Sequence, residues 1–232
     1  MSDIGCGYGS RWHLCRYLAY HRAELNRSVE SVTAGEALEW LDFPFDPASR
    51  FLDGEWKGLN FLGEDHPARN VWRSFWPQTG NVPNWDAVGR VRIAEAAEWL
   101  LVEAKAHVDE LKSACGAKAA GGLTTIQKAF VETKAAMGVP QAADWLGPYY
   151  QYANRLATLH FLIKQGVPAR LFFVYFLGDA HPRSRWKCPT CAEEWEYSLR
   201  PMYDHLGLTH TSELEKRVHR LFLPVGGARQ DL

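Results

Sequence analysis

The chain has 232 residues, 47% of them hydrophobic and 23% charged, and this composition is typical of a single soluble globular domain. The formal net charge of −1 gives no overall electrostatic attraction to nucleic acid, so any basic surface must be local. The sequence contains neither an apolar run of about 18 residues nor an export leader, and its five scattered cysteines indicate reduced thiols. We therefore expect a cytoplasmic protein that makes no membrane contact.

A glycine-rich stretch, DIGCGYGS, occupies residues 3–10. Its three alternating glycines behind Asp3 resemble the first motif of S-adenosylmethionine-dependent methyltransferases. Such a loop should leave the end of a buried strand, and only two residues precede Asp3. We therefore favour a turn that leads into a helix over residues 11–27, with Ser10 as its N-cap, and keep the methyltransferase as a third hypothesis.

Residues 42–70 are dominated by loop signals, with a short strand expected within EWKGLNFLG. After residue 70, the patterns predict a strand at 85–93 and a buried strand in ARLFFVYFLGD, between Pro168 and Gly178. Helices are predicted at 123–137, 149–165 and 191–206, with a loop at 115–122. The tail from 206 to 232 has no assigned structure. This order predicts an α/β fold, a mixed central β-sheet flanked by α-helices, in one domain over residues 1–232.

Residues 83–107, PNWDAVGRVRIAEAAEWLLVEAKAH, carry the most informative pattern. If residues 99–107 form a strand, alternation places Glu103, Lys105 and His107 on one face, in line with Trp99 and Leu101. That face is apolar where the strand begins and charged where it ends. Such a pattern is typical of a half-buried strand that ends in a cleft.

The preceding segment can pair with this strand. With a turn centred between Ala94 and Glu95, an antiparallel hairpin places Asp86 directly opposite Glu103. Opposed residues point to the same face, with their Cβ atoms about 4.5–5.5 Å apart. Two neighbouring carboxylates repel each other unless a cation lies between them, so the pair predicts a Mg²⁺ or Mn²⁺ site.

A helix is the alternative for the same residues. AEAAEWLLVEAKAHVDELKSA is rich in strong helix formers, and its apolar residues also recur at helical spacing. In one long helix Glu103 and Lys105 would point in different directions and the site would not exist. The matching position of Asp86 favours the strand, with a helix expected to resume near Val108.

The spacing Pro83…Asp86 followed by Glu103-Ala104-Lys105 resembles the PD-(D/E)xK nuclease superfamily, which has a restriction-endonuclease-like fold. The resemblance implies a core over about residues 10–205. It implies that Asp86 and Glu103 hold the metal, with the Ala104 carbonyl as a third ligand, and that Lys105 serves the nucleophilic water. This sequence departs from the simplest pattern because two residues separate the proline from the aspartate.

The resemblance leads to a metal-dependent nuclease that hydrolyses phosphodiester bonds of nucleic acid, with DNA favoured over RNA as the partner. The sequence leaves the oligomeric state undecided, with a homodimer as one option. The alternative is a non-catalytic protein on the same fold that binds nucleic acid or another partner.

Further polar residues could serve such a site. On the helix at 149–165, the residues Gln151, Asn154 and Arg155 could position a phosphate, although an ordinary solvated helix face fits the same pattern. His107 could contact substrate or metal, or be a plain residue at a strand end. An additional acidic residue could come from Glu24 or Glu30.

Two other motifs have competing interpretations. RNVWRSFWP (69–77) combines arginines with aromatic residues, which suits single-stranded nucleic acid, but a core-facing aromatic cluster explains it as well. KCPTC (187–191) contains a single CxxC. A zinc site would need Cys188, Cys191, His205 and His210 together, and we favour free thiols around a helix N-terminus instead.

Overall fold

The computed structural model describes residues 7–41, 55–80, 82–118, 121–180 and 186–226. Six α-helices and seven strands account for most of this part of the chain. The helices are α1 (Ser10–Tyr20), α2 (Arg22–Thr33), α3 (Pro67–Phe75), α4 (Leu123–Met137), α5 (Tyr150–Lys164) and α6 (Ala192–Leu206). The strands are β1 (Glu36–Trp40), β2 (Trp56–Lys57), β3 (Asn84–Trp85), β4 (Ala87–Ile93), β5 (Ala96–Lys105), β6 (Ala169–Leu177) and β7 (Val218–Pro224).

Five of the strands form one mixed sheet in the order β1-β4-β5-β6-β7. The pairs β1/β4 and β4/β5 are antiparallel, whereas β5/β6 and β6/β7 are parallel. Parallel neighbours need a crossover connection, and here α4 and α5 connect β5 to β6 while α6 connects β6 to β7. The predicted α/β class with a mixed sheet is confirmed.

Helices cover both faces of this sheet. Helices α3 to α6 share one hydrophobic cluster with Leu101 and Phe173, and α1 and α2 share the other with Leu100 and Phe172. Successive residues of β5 and β6 therefore alternate between two buried layers, as the pleat requires. This explains why the central strands are nearly continuous apolar runs.

Residues 96–105 form a strand, and the helical alternative for them is wrong. Helix propensity is outweighed because Leu100 and Leu101 each lie in a different buried layer, which a strand achieves with two adjacent residues. Beyond the strand, a short 3₁₀-helix at Val108–Leu111 replaces the α-helix expected to resume there.

Several elements differ from the prediction. The first helix is divided at His21 into α1 and α2, and Gly9 rather than Ser10 is the N-cap. Helix α3 lies where loop was expected, with Pro67 in its first turn and the His66 ring accepting the Ala68 N–H. Strand β1 was not predicted. Strand β7 in the unassigned tail extends the sheet beyond residue 205.

Of the glycine-rich stretch, residues 3–6 lie outside the described residues, so the methyltransferase hypothesis is not tested there. Gly7 and Gly9 both have positive φ angles, of 90° and 87°. Glycine adopts these angles without steric cost, which suits the expected turn into α1. No helix in the described ranges combines the length and apolar character that crossing a membrane requires.

Candidate active site

The hairpin of β4 and β5 places Asp86 against Glu103. Val88 pairs with Leu101, and the register continues to Ala87 with Val102, so the next residue pair is Asp86 and Glu103. This is the register expected from the sequence. The Asp86 N–H donates to the Val102 carbonyl at 2.9 Å, and one carboxylate oxygen of Asp86 accepts the Ala104 N–H at 2.7 Å.

Glu103 is buried between two cations. Its Oε1 accepts a hydrogen bond from Lys105 Nζ at 2.5 Å, and its Oε2 accepts Nη2 and Nε of Arg155 at 2.6 and 2.9 Å. Burial alone would raise the pKa of this carboxyl group. The charges of Arg155 and Lys105 outweigh burial and hold the pKa of Glu103 below its usual value, so Glu103 stays ionised.

Helix α5 supplies three polar residues to this network. Lys105 Nζ also donates to Gln151 Oε1 at 2.8 Å, and Arg155 Nη1 donates to Asn154 Oδ1 at 2.7 Å. The Arg155 guanidinium lies 5.0 Å from the centre of the Trp85 ring, within range of a cation–π interaction. Asn154 and Arg155 are only 5% and 4% exposed, so the interpretation as a solvated helix face is wrong.

The carboxyl group of Asp86 behaves differently. Its pKa is raised from 3.8 to about 7, first by burial and then by the nearby negative charges of Glu103 and Glu55. Lys105 and the Ala104 N–H oppose this shift without cancelling it. Asp86 therefore keeps its proton to a much higher pH than an ordinary aspartate does. A cation placed between these carboxylates would favour its ionised form.

Glu55 is an acidic residue that sequence reasoning missed. Strand β2 pairs with β3 through Trp56–Trp85 and Lys57–Asn84, so the next residue pair is Glu55 and Asp86. The Asn84 amide donates to Glu55 at 3.0 Å and fixes its carboxylate there. The sequence signalled a short strand in this region but not its partner, because two-residue strands carry no periodicity.

A polar cleft of about 570 Å³ opens beside this network. Its wall includes Glu55, Lys57 and Asn84 on one side and Gln151 and Arg155 on the other. The volume lies in the range of small-molecule and cofactor sites, although the lining is far more polar than is usual for them. A charged ligand is therefore the better fit.

The two carboxylates suit Mg²⁺, which keeps water and substrate ligands, better than they suit a metal ion whose ligands all come from the protein. Among the described residues, no group of three or more His, Cys, Asp or Glu side chains is arranged to hold a metal ion. Magnesium, however, commonly uses one or two carboxylates, and water and substrate phosphates complete its coordination. A carboxylate has about four acceptor positions, and Glu103 uses three of them and Asp86 one.

The Ala104 carbonyl is directed to the same side. In an antiparallel pair, the N–H and C=O of one residue point to the same neighbouring strand. The Ala104 N–H donates to Asp86, so its carbonyl also points toward that side of β5. Asp86, Glu103 and this carbonyl could together hold a divalent ion, as the resemblance implies.

Three other predicted residues lie elsewhere. His107 stacks on Trp186 with ring centres 4.2 Å apart and lies 3.4 Å from Glu110, so its contacts are not with Glu103 or Lys105. Glu24 and Glu30 lie in α2, on the face of the sheet opposite to Glu103. The expectation that either would be the additional acidic residue is wrong, because the helix that carries them packs behind the sheet.

The two motifs of uncertain meaning also have clear positions. Trp72 and Trp76 are 2% and 0% exposed and stack on each other, so the aromatic residues of RNVWRSFWP belong to the core. Cys191 is the N-cap of α6, as expected for thiols around a helix N-terminus. His205 contacts Tyr149 and His210 contacts Tyr203, so the proposed zinc ligands have separate partners.

Comparisons with known protein families, curated proteins and solved structures found no match for this chain.

Proposed function

We propose that this protein is a magnesium- or manganese-dependent nuclease of the PD-(D/E)xK type, which hydrolyses phosphodiester bonds of nucleic acid. One observation carries the proposal: Asp86, directly before β4, lies beside Glu103 of β5, with the Lys105 ammonium bonded to Glu103. The mixed sheet with helices on both faces supports it, since the resemblance implies this architecture. We propose with it that the fold is restriction-endonuclease-like.

In this proposal Asp86, Glu103 and the Ala104 carbonyl hold the metal ion. When bound, the ion neutralises charge on the phosphodiester and makes water a stronger nucleophile. Lys105 is held at the cleft by Glu103 and Gln151, and from there it orients the attacking water. Arg155 lines the cleft and stabilises the charge that develops on the phosphoryl oxygens.

A second function is favoured by a different observation. Lys105 and Arg155 together occupy both oxygens of Glu103, so the network is already balanced without a metal. A non-catalytic protein that binds nucleic acid through the same polar cleft would need no further ligand on Glu103. The two functions differ in whether Lys105 is needed for turnover or only for binding.

The test is a cleavage assay on four substrates, single- and double-stranded DNA and RNA, with Mg²⁺ or Mn²⁺. A positioned group that assists proton transfer contributes roughly 10²–10⁴-fold, so Lys105→Ala should lower kcat by that factor. Lys164→Ala is the matched control, because this lysine also pairs with a glutamate, Glu132 at 2.9 Å, but lies at the opposite end of α5 from Gln151. The control should cleave like the unmodified protein.

Cleavage that Lys105→Ala leaves unchanged would remove Lys105 from the mechanism. Binding of one of the four substrates without cleavage, under either metal, would favour the non-catalytic function. The same assay decides between DNA and RNA.

A further inference from the structure

A smaller pocket of about 230 Å³ adjoins the candidate active site. It shares Lys57, Gln78 and Val82 with the larger cleft, so the two form one continuous depression. Helix α3 provides its far wall through Arg69 and Arg73. A ligand in the larger cleft, which Arg155 lines beside Glu103, can therefore reach the surface of α3 without leaving the depression.

The charge of this side pocket is positive. Its lining contains Lys57, Arg69 and Arg73 but no acidic residue. Within the described ranges none of these three cations forms a salt bridge, and Arg69 donates only to the Asn60 side chain, at 3.0 Å. Arg69 and Arg73 are four residues apart, so they lie on the same side of α3. Two guanidinium groups without carboxylate partners suit an oxyanion.

The same wall contains a buried indole. Trp72 lines the side pocket, and among the described residues its Nε1–H has no hydrogen-bond partner although the side chain is only 2% exposed. This nitrogen lies beside Gly58, which is also part of the wall: a Cβ added to that glycine would be 3.4 Å from it. Because this N–H is buried beneath the wall, it senses an anion in the pocket through the anion's electric field and not through a direct hydrogen bond.

We propose that the side pocket binds a backbone phosphate of the nucleic-acid strand, next to the phosphodiester that lies at Asp86 and Glu103. This inference rests on the proposed function for the identity of its ligand. Because Trp72, the aromatic residue of α3 in this wall, is buried, the contribution of α3 is not base stacking but contact with phosphate, which carries no sequence information. The strand therefore runs from the active site across Lys57 to Arg69 and Arg73.

Binding without metal tests this inference separately from catalysis. A fluorescent single-stranded oligonucleotide of about eight nucleotides is titrated in EDTA, and its affinity is measured by anisotropy over a range of salt concentrations. Each phosphate contact on a single strand contributes about 0.7 to the slope of log K against log salt. The double variant Arg69→Gln/Arg73→Gln should therefore weaken binding and reduce this slope by about 1.4.

The matched control is Arg27→Gln/Arg200→Gln, which makes the same charge change at two exposed arginines on α2 and α6. It should keep the slope of the unmodified protein. Equal losses in both double variants would mean that only net charge matters, and would overturn the side pocket. Thermal unfolding of all variants checks that they remain folded.

A second readout uses the Trp72 indole directly. Its N–H signal is identified in an NMR spectrum by its loss in Trp72→Phe, and inorganic phosphate is then added to the unmodified protein. A shift of this signal that Arg69→Gln/Arg73→Gln suppresses supports the site. A signal that phosphate does not move overturns it. If the protein cleaves no substrate but passes both binding tests, the proposed activity fails while the side pocket stands.

Discussion

Strand β5 carries two buried glutamates, and each is paired with two cations. Glu98 accepts Arg170 at 2.8 Å and Arg217 at 2.9 Å, and Glu103 accepts Lys105 and Arg155. They are 7% and 3% exposed. Five residues apart, they lie roughly 16 Å from each other along the strand and on opposite faces of the sheet.

The two glutamates differ in the groups that lie beyond their ion pairs. Beyond Glu98, Arg170 donates to His219, whose pKa is lowered to about 4 by burial and by the charge of Arg170. The neutral imidazole accepts that bond, so Glu98, Arg170 and His219 all have hydrogen-bond partners. Beyond Glu103 lies Asp86, a carboxyl group with a raised pKa, and then a polar cleft. Ion pairing alone therefore does not distinguish the two glutamates; the neighbouring acid with a raised pKa and the polar cleft do.

The largest expected contrast comes from neutralising each glutamate. Glu103→Gln leaves the buried Lys105 and Arg155 without their carboxylate, and loss of one partner of a buried pair costs about 3–5 kcal/mol. Glu98→Gln leaves Arg170 and Arg217, which are half-buried and can be hydrated, so urea unfolding should show a smaller destabilisation. Cleavage should fall about 10³-fold in Glu103→Gln only, because a metal ligand contributes several kcal/mol of charge stabilisation. Equal activity in both folded variants would contradict the assignment of Glu103.

A smaller contrast concerns the pH dependence of stability at Asp86. Its pKa in the folded protein, about 7, exceeds the ordinary 3.8, so its stabilising effect is complete below pH 3.8 and is lost as the pH rises through 7. Asp86→Asn should be more stable than the unmodified protein at pH 8, by at most about 4 kcal/mol, and should lose this advantage below pH 4. Urea unfolding at both pH values measures this, and an equal difference at the two would contradict the shift.

The opposite dependence is expected at His219, and it is the smallest effect. Its pKa in the folded protein, about 4, lies below the ordinary 6.5, so it stabilises fully above pH 6.5 and this effect disappears as the pH falls through 4. Because His219 is only partly buried, solvent screening reduces this effect, and His219→Gln should remove about 1–2 kcal/mol of the stability lost on acidification. Unfolding free energies at pH 7 and pH 4 provide the measurement. If the variant loses as much stability between pH 7 and pH 4 as the unmodified protein does, titration of His219 is not the cause of that loss.

Long patterned segments were predictable from the sequence. Helices α4, α5 and α6 and strand β6 lie within a residue or two of their expected bounds, because each has the periodicity and end signals of its type. The register of β4 on β5 was predictable from the position of the turn. Helix α3 and strands β1 and β7 were not, since their short segments are stabilised mainly by packing against distant parts of the chain.

The sequence by itself determined the hairpin, and with it the approach of Asp86 to Glu103, because pairing across a short turn depends on residues close in the chain. Only the tertiary structure brought Arg155 onto Glu103, 52 residues away, and Glu55 beside Asp86. These contacts depend on how α5 and β2 pack against the sheet, which no local pattern encodes. The same packing left the arginines of α3 facing a pocket while its Trp72 joined the core.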